Sequence, residues 1–558
     1  MHPMDDVAEA ADAYAAAPLL NCLLRELAGP ADSADSGASA GADPSSESDA
    51  SEGDVSKGDA SKGGRRVYRL PAVGRQLRVR DGRRPAEPEL LVAGAWHRLG
   101  HTELVKLAAD ELRRYTGESN DELTAEMIDS RDAVAALLTA RARATPPDDL
   151  YVRSEQSLIM GHPYHPAPKA RGGGPVAGWL PYAPEAHAHF PLVLLGVRED
   201  MVVEEGDTQA LDSLAEALGG GPAAPPDYRL LPAHPWQLEL AGGRPELGDA
   251  FADGRLVRLG RTEWPVWPTA AVRTLYVPDL SGHARAADLF VKFSLDVRIT
   301  NDVRRLWRHD LLKMRATDAA VAAAFAALQQ SGGAYRGSYK AAAWLSDRSY
   351  RTADFAFEEL AVLVRDGLGR HVRPGATPLL AAALAEGFEG SPLDRLADPV
   401  AWWTAYLRHV VPPVLEVFGR HGLVLEAHLQ NSLVAVDRDG MPVQALFRDA
   451  EGVKRVPEAG RAAGWERLVY CLFVNHIAEI AGALADRYPW AGPGLWPAVR
   501  RELARYDAQR GLPEIAGLLA APTLPGKTNL LLRWTGADGA DARYRPVPNP
   551  LLEGSGSP

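Results

Sequence analysis

The sequence predicts an α+β protein built from several lobes. The chain has 558 residues, 46% of them apolar, which is more than one ordinary hydrophobic core takes up. Short stretches with strand periodicity follow one another and do not alternate regularly with helical stretches. Because a doubly wound parallel sheet requires such an alternation, we expect mixed or antiparallel sheets instead.

Charge and cysteine content exclude several functional classes. The formal net charge is −12 and 24% of the residues are charged, so the protein does not bind nucleic acid through bulk positive charge. A local basic pocket for a small anion remains compatible with this balance. The two cysteines, Cys22 and Cys471, are too few for a disulfide framework or a cysteine-rich zinc site.

Neither a secretory signal nor a membrane span is expected. The first twenty residues, MHPMDDVAEAADAYAAAPLL, lack a basic region followed by an apolar core. The chain has no uninterrupted run of about 18 apolar residues. We therefore predict a cytoplasmic protein without a membrane partner.

The first third of the chain divides into a helix, a low-complexity segment and a lobe of strands and helices. Residues 5–27 have helical periodicity, whereas residues 29–66 contain almost no large apolar side chain. Such a segment cannot bury enough surface to offset its ordering entropy, so we predict disorder. Alternation from Val67 onward predicts strands, and Thr102 is expected to cap the following helix.

The rest of the chain is predicted to combine short strands with long helices. Strands are expected in HFPLVLLGV and DLFVKFSLDVRIT, and residues 310–395 are expected to be helical with loops. An amphipathic helix is predicted over 397–420, interrupted or kinked at Pro412–Pro413. Two strands joined by DRDG follow, and then mostly helix.

Polar residues are concentrated in LEAHLQNSL, residues 425–433. If this stretch is a strand, Glu426, His428 and Gln430 share one face, and the intervening apolar residues pack on the core. A four-residue DRDG loop would pair Val436 with Met441, whereas a two-residue turn shifts the register by about two positions.

Counted outward from the four-residue loop, His428 lies opposite Asp449. Either register brings Glu426, His428 and Asn431 near Arg448 and Asp449. Carboxylate and amide oxygens are hard ligands suited to Mg²⁺, and a histidine can hydrogen-bond a phosphate or carboxylate oxygen. The alternative is a polar sheet face with ordinary cross-strand pairs.

A basic stretch, FVKFSLDVRITNDVRRL, covers residues 290–306. Its polar side chains are Lys292, Arg298, Thr300, Asn301, Arg304 and Arg305. A lysine in an apolar strand can act as a point charge for nucleotide phosphates, and arginines can bind phosphate or carboxylate bidentately. A solvated basic edge is the alternative.

A loop broken by prolines and glycines, GHPYHPAPKARGG, spans residues 161–173. It gathers His162, His165, Lys169 and Arg171, which predicts an anion pocket. A zinc site using His162, His165, His187 and His189 is the alternative, although the prolines fit a metallohydrolase motif poorly.

The HPWQ motif, residues 234–237, has two equally open interpretations. It is either a structural turn, with a buried tryptophan and a hydrogen-bonded histidine, or a part of the functional site. The chain lacks GxxxxGK[ST] and GxSxG motifs.

In order, the motifs GHPYHPxxKxR, HPWQ, RT, KFSxxxxITNxxR, ExHxQN and RDxEG resemble those of the NRPS-independent siderophore synthetases, the IucA/IucC or aerobactin-synthetase-like family. The resemblance covers roughly residues 150–455, and GKTNLLLRW at 526–534 is similar to the end of that family's C-terminal region.

The resemblance implies an ATP- and Mg²⁺-dependent ligase of the AMP-forming type. Such an enzyme adenylates a carboxylate of citrate or of a related derivative, and an amine or hydroxyl nucleophile then attacks to give an amide or ester. It also implies an open-hand architecture and a possible homodimer. The expected segments are 1–28 (helix), 29–66 (insertion), 67–230 (thumb), 231–395 (fingers) and 396–558 (palm).

The resemblance further implies roles for individual residues. Nucleotide contacts are expected from Arg273, Lys292, Arg304, His428, Asp449 and Lys169. Mg²⁺ coordination is expected from Glu426, Asn431 and Asp449. Substrate contacts are expected from His162, Lys169, Thr300 and Arg304, and the catalytic residues would be His428, Arg304 and Lys292.

Two positions depart from the family pattern. Ala271 and Ala170 stand where the family often has serine, so hydroxyl hydrogen bonds near the adenylate are in doubt. A catalytically degenerate nucleotide- or carboxylate-binding homologue is therefore an alternative function, and a zinc hydrolase is a more remote one.

Overall fold

A computed structural model describes residues 3–30, 64–172, 174–207, 209–212, 214, 218, 221–279, 288–330, 342–537 and 543–552. The chain divides into two compact units. One comprises Met1–Ala135, His162–Ala170 and Thr528–Arg543, and the other comprises Ala136–Gly161, Arg171–Lys527 and Tyr544–Pro558.

The first unit packs helices against a five-stranded antiparallel sheet. The strands follow chain order and span Gly29–Pro30, Arg65–Leu70, Arg75–Arg80, Ala86–Val92 and Ala95–Arg98. The helices are Pro3–Glu26, His101–Thr116, the first turns of Asp121–Arg141, and Asn529–Trp534. Leu19, Leu23, Leu77 and Leu104 belong to their shared core.

Two expectations for this unit need correction. Gly29–Pro30 and Arg65–Arg66, the ends of the predicted disordered segment, lie in strands, because Gly29 pairs with Arg69 and Arg65 with Arg80. Residues 31–63 of that segment lie outside the described residues. The second helix begins one residue before Thr102, since Gly100 is extended and its N–H donates to the Glu103 carboxylate at 2.8 Å.

The second unit contains mixed and antiparallel sheets. A six-stranded antiparallel sheet has the order Trp267–Pro268, Thr274–Val277, Leu289–Phe293, Val362–Asp366, Asp347–Ala353 and Val202–Gly206. A four-stranded mixed sheet has the order Ala343–Leu345, Pro442–Arg448, Ser432–Val436 and Thr377–Leu380. A three-stranded sheet joins Tyr228–Ala233, Val193–Arg198 and Leu256–Arg261. Two-stranded ladders pair Arg298–Ile299 with Asp302–Val303, Leu423–Val424 with Lys454–Arg455, and Thr523–Lys527 with Tyr544–Pro548.

Helices become frequent toward the C-terminus of this unit. The earlier ones are Leu150–Glu155, Val176–Trp179, Gln209–Asp212, Pro235–Ala241, Pro245–Ala252, Arg308–Gln330 and Ala381–Glu386. The later ones are Pro399–His421, Val456–Ala459, Arg461–Leu468, Ala478–Arg487, Gly492–Arg510 and Glu514–Ala520, with a π-helix over Val469–Ile477. The mixed α+β class, the mixed and antiparallel sheets and the helical C-terminal region are thus confirmed.

The interval 310–395 was expected to be helical, and this was wrong. After the helix Arg308–Gln330 it contributes four strands, Ala343–Leu345, Asp347–Ala353, Val362–Asp366 and Thr377–Leu380. Two of these strands, Asp347–Ala353 and Val362–Asp366, are almost wholly buried. A strand that is buried on both faces does not alternate apolar and polar residues. The sequence pattern could therefore not distinguish these strands from buried helices.

The helix Pro399–His421 continues through Pro412 and Pro413, so the expected interruption, one of two alternatives with a kink, does not occur. Asp398 caps its N-terminus, and Gly422 ends it in the left-handed conformation. Trp402, Trp403 and much of the remaining helix are fully buried. This apolar burial outweighs the backbone hydrogen bonds that the two prolines remove.

One continuous helical stretch, Arg461–Arg487, is long and apolar enough by length and composition to cross a membrane. However, 83% of its most apolar 18-residue window is buried among the protein's own side chains. Burial of this extent is typical of a core helix.

Candidate functional site

The LEAHLQN stretch is a turn preceding a strand. Residues 425–427 have no regular structure, 428–431 form a turn, and the strand begins at Ser432. The Asn431 N–H donates to the His428 carbonyl at 3.1 Å, which closes the turn. The expected strand was therefore wrong. Burial nevertheless alternates, with Leu425, Ala427 and Leu429 buried and the polar residues between them partly exposed.

The hairpin after this turn exists, but its register differs from the expected one. Val436 pairs with Pro442 and not with Met441, with a bulge before Ala435 pairs with Gln444. The Asp437 carboxylate accepts hydrogen bonds from the backbone of Asp439 and Met441, which tightens the loop. Because the bulge adds one residue to the second strand, counting from the loop could not place His428.

Lys292 and two carboxylates form the centre of the site. Its ammonium lies 2.7 Å from Asp449 Oδ1 and 2.7 Å from Glu451 Oε2, and its side chain is 3% exposed. Lys292 stands on the central strand Leu289–Phe293. Asp449 immediately precedes the short turn Ala450–Gly452, and Glu451 lies within it. The sequence prediction had included Asp449 but had missed Glu451.

Arginines surround these carboxylates. Arg365 donates to Asp449 at 3.1 Å and to Asp347 at 2.6 Å, and Arg273 donates to Glu451 at 3.0 Å. Although burial would raise the pKa of Glu451, Arg273 and Lys292 lower it to about 2. Burial likewise opposes ionisation of Asp449, but Lys292 and Arg365 hold its pKa well below the usual range. Both carboxylates are therefore ionised at neutral pH.

Arg304 is held next to this cluster by Thr300. The guanidinium donates to Thr300 Oγ1 and to the Ile299 carbonyl, both at 2.6 Å. Burial and the nearby Arg273 lower the pKa of Arg304, whereas Asp449 and Glu451 raise it. The structure thus brings together three residues that the sequence predicted for the site. Arg304 and Thr300 lie beside the charge cluster formed by Lys292 and its two carboxylates.

The backbone is strained at three site positions. Val272, Thr300 and Asp449 adopt positive φ angles of 63°, 61° and 83°, a conformation that is unfavourable for β-branched residues in particular. Each residue is, or directly supports, a charged group of the site. Val272 precedes Arg273, and Thr300 binds Arg304. Such strain concentrates where the surrounding structure fixes a functional geometry.

Glu426 lies against Gly452 of the Ala450–Gly452 turn and forms an ion pair with Arg467. A Cβ atom added at Gly452 would lie 1.9 Å from Glu426 Oε2, so only glycine permits this approach. Lys527 is close enough for Glu426 to raise its pKa, although burial lowers that pKa overall. Its ammonium makes no hydrogen bond or ion pair within the described ranges.

His428 is a neutral, partly buried imidazole within this charge cluster. Burial lowers the pKa of His428. The negative charges of Glu426 and Asp449 raise this pKa, but by less than burial lowers it. Nδ1 accepts from the Gln430 N–H at 3.3 Å, and Nε2 lies 3.4 Å from Asn431 Nδ2. His428, Glu426, Asn431 and Asp449 are thus brought together, as the sequence predicted.

A buried ion pair fixes two loops of the site. Arg448 donates to both Glu155 oxygens, at 2.6 and 3.2 Å, and to the Gln430 carbonyl at 2.9 Å. Glu155 also accepts the Ala270 N–H at 3.1 Å, three residues before Arg273. The pair therefore connects the turn that carries His428 with the turn that carries Arg273.

His162 and Lys169 belong to the first unit. His162 Nδ1 accepts from the Tyr164 N–H at 3.1 Å, and the Lys169 N–H donates to Ser130 Oγ at 3.0 Å. The Asn529 amide donates to the Tyr164 carbonyl at 2.6 Å. The loop is ordered by its own backbone contacts, and its role in substrate binding stays a prediction.

The donor set suits a magnesium–nucleotide complex better than a metal bound by protein alone. Within the described ranges, Asp449 Oδ2, Glu451 Oε1 and Asn431 Oδ1 have no hydrogen-bond partner, so each oxygen can ligate a cation. No group of three or more His, Cys, Asp or Glu positioned for a metal occurs among the described residues. Mg²⁺ is commonly held by one or two carboxylates together with substrate phosphates, which matches this arrangement. The zinc alternative gains no support.

Sequence reasoning missed several residues of the site. Glu451, Arg365, Arg467 and Lys527 come from four separate segments and were not assigned roles. Glu451 could have been found, because it lies in the RDxEG motif. Lys527 lies in the GKTNLLLRW motif and could have been found in the same way. Arg365 and Arg467 carry no local signal, since only the fold brings them to the carboxylates.

The chain matches two family models and several curated proteins. The IucA/IucC family model matches residues 150–386, and a model described as ferric iron reductase FhuF-like transporter matches 400–542. An L-2,3-diaminopropanoate–citrate ligase of Staphylococcus aureus is 29% identical over 72% of this chain and 75% of its own length. The rhizobactin siderophore biosynthesis protein RhbC of Rhizobium meliloti is 30% identical over 72% of this chain and 76% of its own length.

Solved structures show the same fold. The ATP-bound aerobactin synthetase IucA from a hypervirulent pathotype of Klebsiella pneumoniae superposes with a TM-score of 0.75 at 21% identity, covering 97% of this chain and 99% of that one. The fold and the relatives define a siderophore-biosynthesis class of protein. Within that class, the chain belongs to the IucA/IucC family.

Proposed function

We propose that the protein is an ATP- and Mg²⁺-dependent siderophore synthetase. It activates a carboxylate of citrate, or of a citrate or dicarboxylate derivative, and condenses it with an amine or hydroxyl nucleophile. The observation that carries the proposal is the buried Lys292 bridging Asp449 and Glu451, with Arg273 and Arg304 beside them. The similarity to a citrate ligase favours citrate as the acid.

The basic residues are suited to the polyphosphate. Arg273, Lys292, Arg304 and neutral His428 offer hydrogen-bond donors toward phosphate oxygens, and their fixed positions avoid reorganisation when charge develops. Asp449, Glu426 and Asn431 would hold Mg²⁺ together with the nucleotide phosphates, and Glu451 is an alternative oxygen donor beside Asp449. When bound, Mg²⁺ supplies positive charge that stabilises the departing pyrophosphate.

A second group of positive charges is suited to the acid. Arg467 and Lys527 lie beside Glu426. The Lys527 ammonium has no partner among the described residues, and a partly buried ammonium of this kind favours an incoming carboxylate. Citrate carries three carboxylates, which several cations can orient at once. Thr300 and Arg304, which belong to the first group of charges, and His162 and Lys169 remain further candidates for substrate contact.

The reaction has two balanced steps. A carboxylate oxygen attacks the α-phosphorus of ATP, and the bond to pyrophosphate breaks to give an acyl-adenylate. The nucleophile then attacks the acyl carbon, loses a proton and displaces AMP, which forms an amide or an ester. We expect this chemistry in the cytoplasm.

Pyrophosphate release with ATP, Mg²⁺, citrate and a panel of diamines and amino acids tests the proposal. Turnover that requires both acid and nucleophile is expected, with the amide or ester identified by mass spectrometry. No turnover with citrate, its monoamides, succinyl-hydroxamates or 2-oxoglutarate would contradict it.

His428→Ala separates a catalyst from a degenerate binding protein. The variant should remain folded but lose turnover by about 100-fold, because a phosphate contact is removed. His421→Ala, at an exposed position, is the matched control and should behave as the wild type. Equal turnover in both variants would remove His428 from the mechanism.

A further inference from the structure

A π-helix lies directly behind the LEAHLQN turn. Residues Val469–Ile477 have π-helical hydrogen bonding between the α-helices Arg461–Leu468 and Ala478–Arg487. All nine residues of the π-helix are buried. A π-helix is less stable than an α-helix and occurs frequently at functional sites, so its presence calls for a local reason.

Within the π-helix, His476 uses both of its ring nitrogens in hydrogen bonds. Its Nδ1 lies 2.8 Å from the Ala427 carbonyl oxygen, and its Nε2 lies in hydrogen-bond contact with the Tyr406 hydroxyl. A carbonyl only accepts, so Nδ1 carries the proton and Nε2 accepts from Tyr406. His476 and Tyr406 are both fully buried, and both nitrogens of the imidazole are satisfied.

The contacted carbonyl belongs to the residue between Glu426 and His428. The side chain of Ala427 carries no chemistry, but its backbone determines where its two neighbours point. A buried histidine and tyrosine cost more to desolvate than an apolar pair of similar volume unless their hydrogen bonds are required. Burial holds the pKa of His476 at about 4, so the imidazole stays neutral and retains this tautomer at physiological pH.

We propose that His476, supported by Tyr406, is a positioning residue that fixes the 426–431 turn through the Ala427 carbonyl. The π-helix places the imidazole at this carbonyl. His476 does not touch substrate. It acts by keeping Glu426 and His428 in place for the proposed function, on which the catalytic part of this inference rests.

Three variants of the full-length protein test the inference. His476→Leu removes the donor, His476→Asn keeps an N–H near the Nδ1 position, and Tyr506→Phe is a control that removes another buried tyrosine hydroxyl, one that donates to Glu416. The first readout is hydrogen–deuterium exchange of the peptide that contains the Gln430 and Asn431 amides, relative to a distant peptide. The second is the kcat and KM of citrate-dependent pyrophosphate release.

His476→Leu should accelerate exchange in this peptide by about tenfold and lower kcat by about tenfold to 100-fold, because small misplacements of reacting groups are costly. His476→Asn should recover most of both losses, and Tyr506→Phe should change neither. Unchanged local exchange in His476→Leu, no recovery in His476→Asn, or an equal effect of Tyr506→Phe would overturn the inference. If the wild type shows no turnover, the proposed function fails, and the exchange data still decide the positioning role.

Discussion

Lys292 shows how a single buried charge organises the site. A lysine ammonium that is 3% exposed requires opposite charges, and Asp449 and Glu451 provide them at 2.7 Å. The same contact keeps both carboxylates ionised, the state in which they can ligate a cation. One residue therefore fixes the protonation and the position of two others.

Lys292→Met should reduce citrate-dependent turnover by at least about 100-fold, because it removes a fixed positive charge from the phosphate site. Lys313→Met, at an exposed helical position, is the control and should leave turnover unchanged. Steady-state kinetics with matched melting curves makes the comparison. Activity within twofold of wild type in a folded Lys292→Met protein would count against the assigned site.

Gly452→Ala should lower turnover by about tenfold or more. The new methyl group would lie only 1.9 Å from Glu426 Oε2, so it would displace the Glu426 carboxylate from its position in the site. A Cβ atom added at Gly517 would meet no other atom within 4 Å, so Gly517→Ala in the helix Glu514–Ala520 should be neutral or slightly stabilising. The Mg²⁺ concentration for half-maximal activity is the informative measurement. An unchanged value in Gly452→Ala would separate Glu426 from metal binding.

At the residue scale the sequence predicted much of this cluster. Lys292, Arg304, Glu426, His428 and Asp449 stood out because charged or polar groups in apolar stretches need partners. What could not be predicted were the ion-pair partners of Lys292, Asp449 and Glu426. Arg365 and Arg467 look like ordinary arginines in the sequence, and their roles depend on strand order and helix packing that no local pattern encodes.

At the scale of elements, the burial pattern predicted for residues 425–431 was correct, but the predicted strand was wrong. Apolar and polar residues alternate in burial there as they would in a strand, so period two predicted a strand. The Glu155–Arg448 pair supplies what a strand would otherwise provide, because it holds the Gln430 carbonyl and the Ala270 N–H. Hydrogen bonds to side chains therefore satisfy backbone groups that strand pairing would otherwise satisfy.

Glu155→Gln should destabilise the protein by about 3–5 kcal/mol, since it leaves Arg448 buried without its counter-charge. Asp200→Asn, which breaks the exposed pair with Arg198, should cost less than about 1 kcal/mol. Denaturant unfolding measures both. Equal costs would show that the buried pair does not support the site loops.

At the scale of the whole molecule, buried histidines couple stability to pH. Burial lowers the pKa of His476 to about 4 and that of His234 to about 3, and both side chains are fully buried. The unfolded chain binds these protons near pH 6.5, so stability is full above that pH and falls as the pH decreases toward 4.

Each of these two histidines should reduce the free energy of unfolding by on the order of 2 kcal/mol between pH 7.5 and pH 5. His234→Asn retains a side chain that can cap the helix Pro235–Ala241 and should flatten this dependence. His421→Asn, at an exposed site, should not. Unfolding curves at pH 7.5, 6 and 5 give the comparison, and identical slopes in all three proteins would refute the assignment.

The π-helix also determines where the chain can tolerate insertions and deletions. In a helix, removing one residue turns everything beyond it by about 100° and shifts it by about 1.5 Å. A deletion inside Val469–Ile477 would let the segment relax to the more stable α-form, yet it would carry His476 away from Ala427 and rotate Ala478–Arg487 out of its packing. Insertions and deletions are therefore expected to be tolerated in surface loops and rejected in this nine-residue segment. Its length is constrained as strongly as its composition.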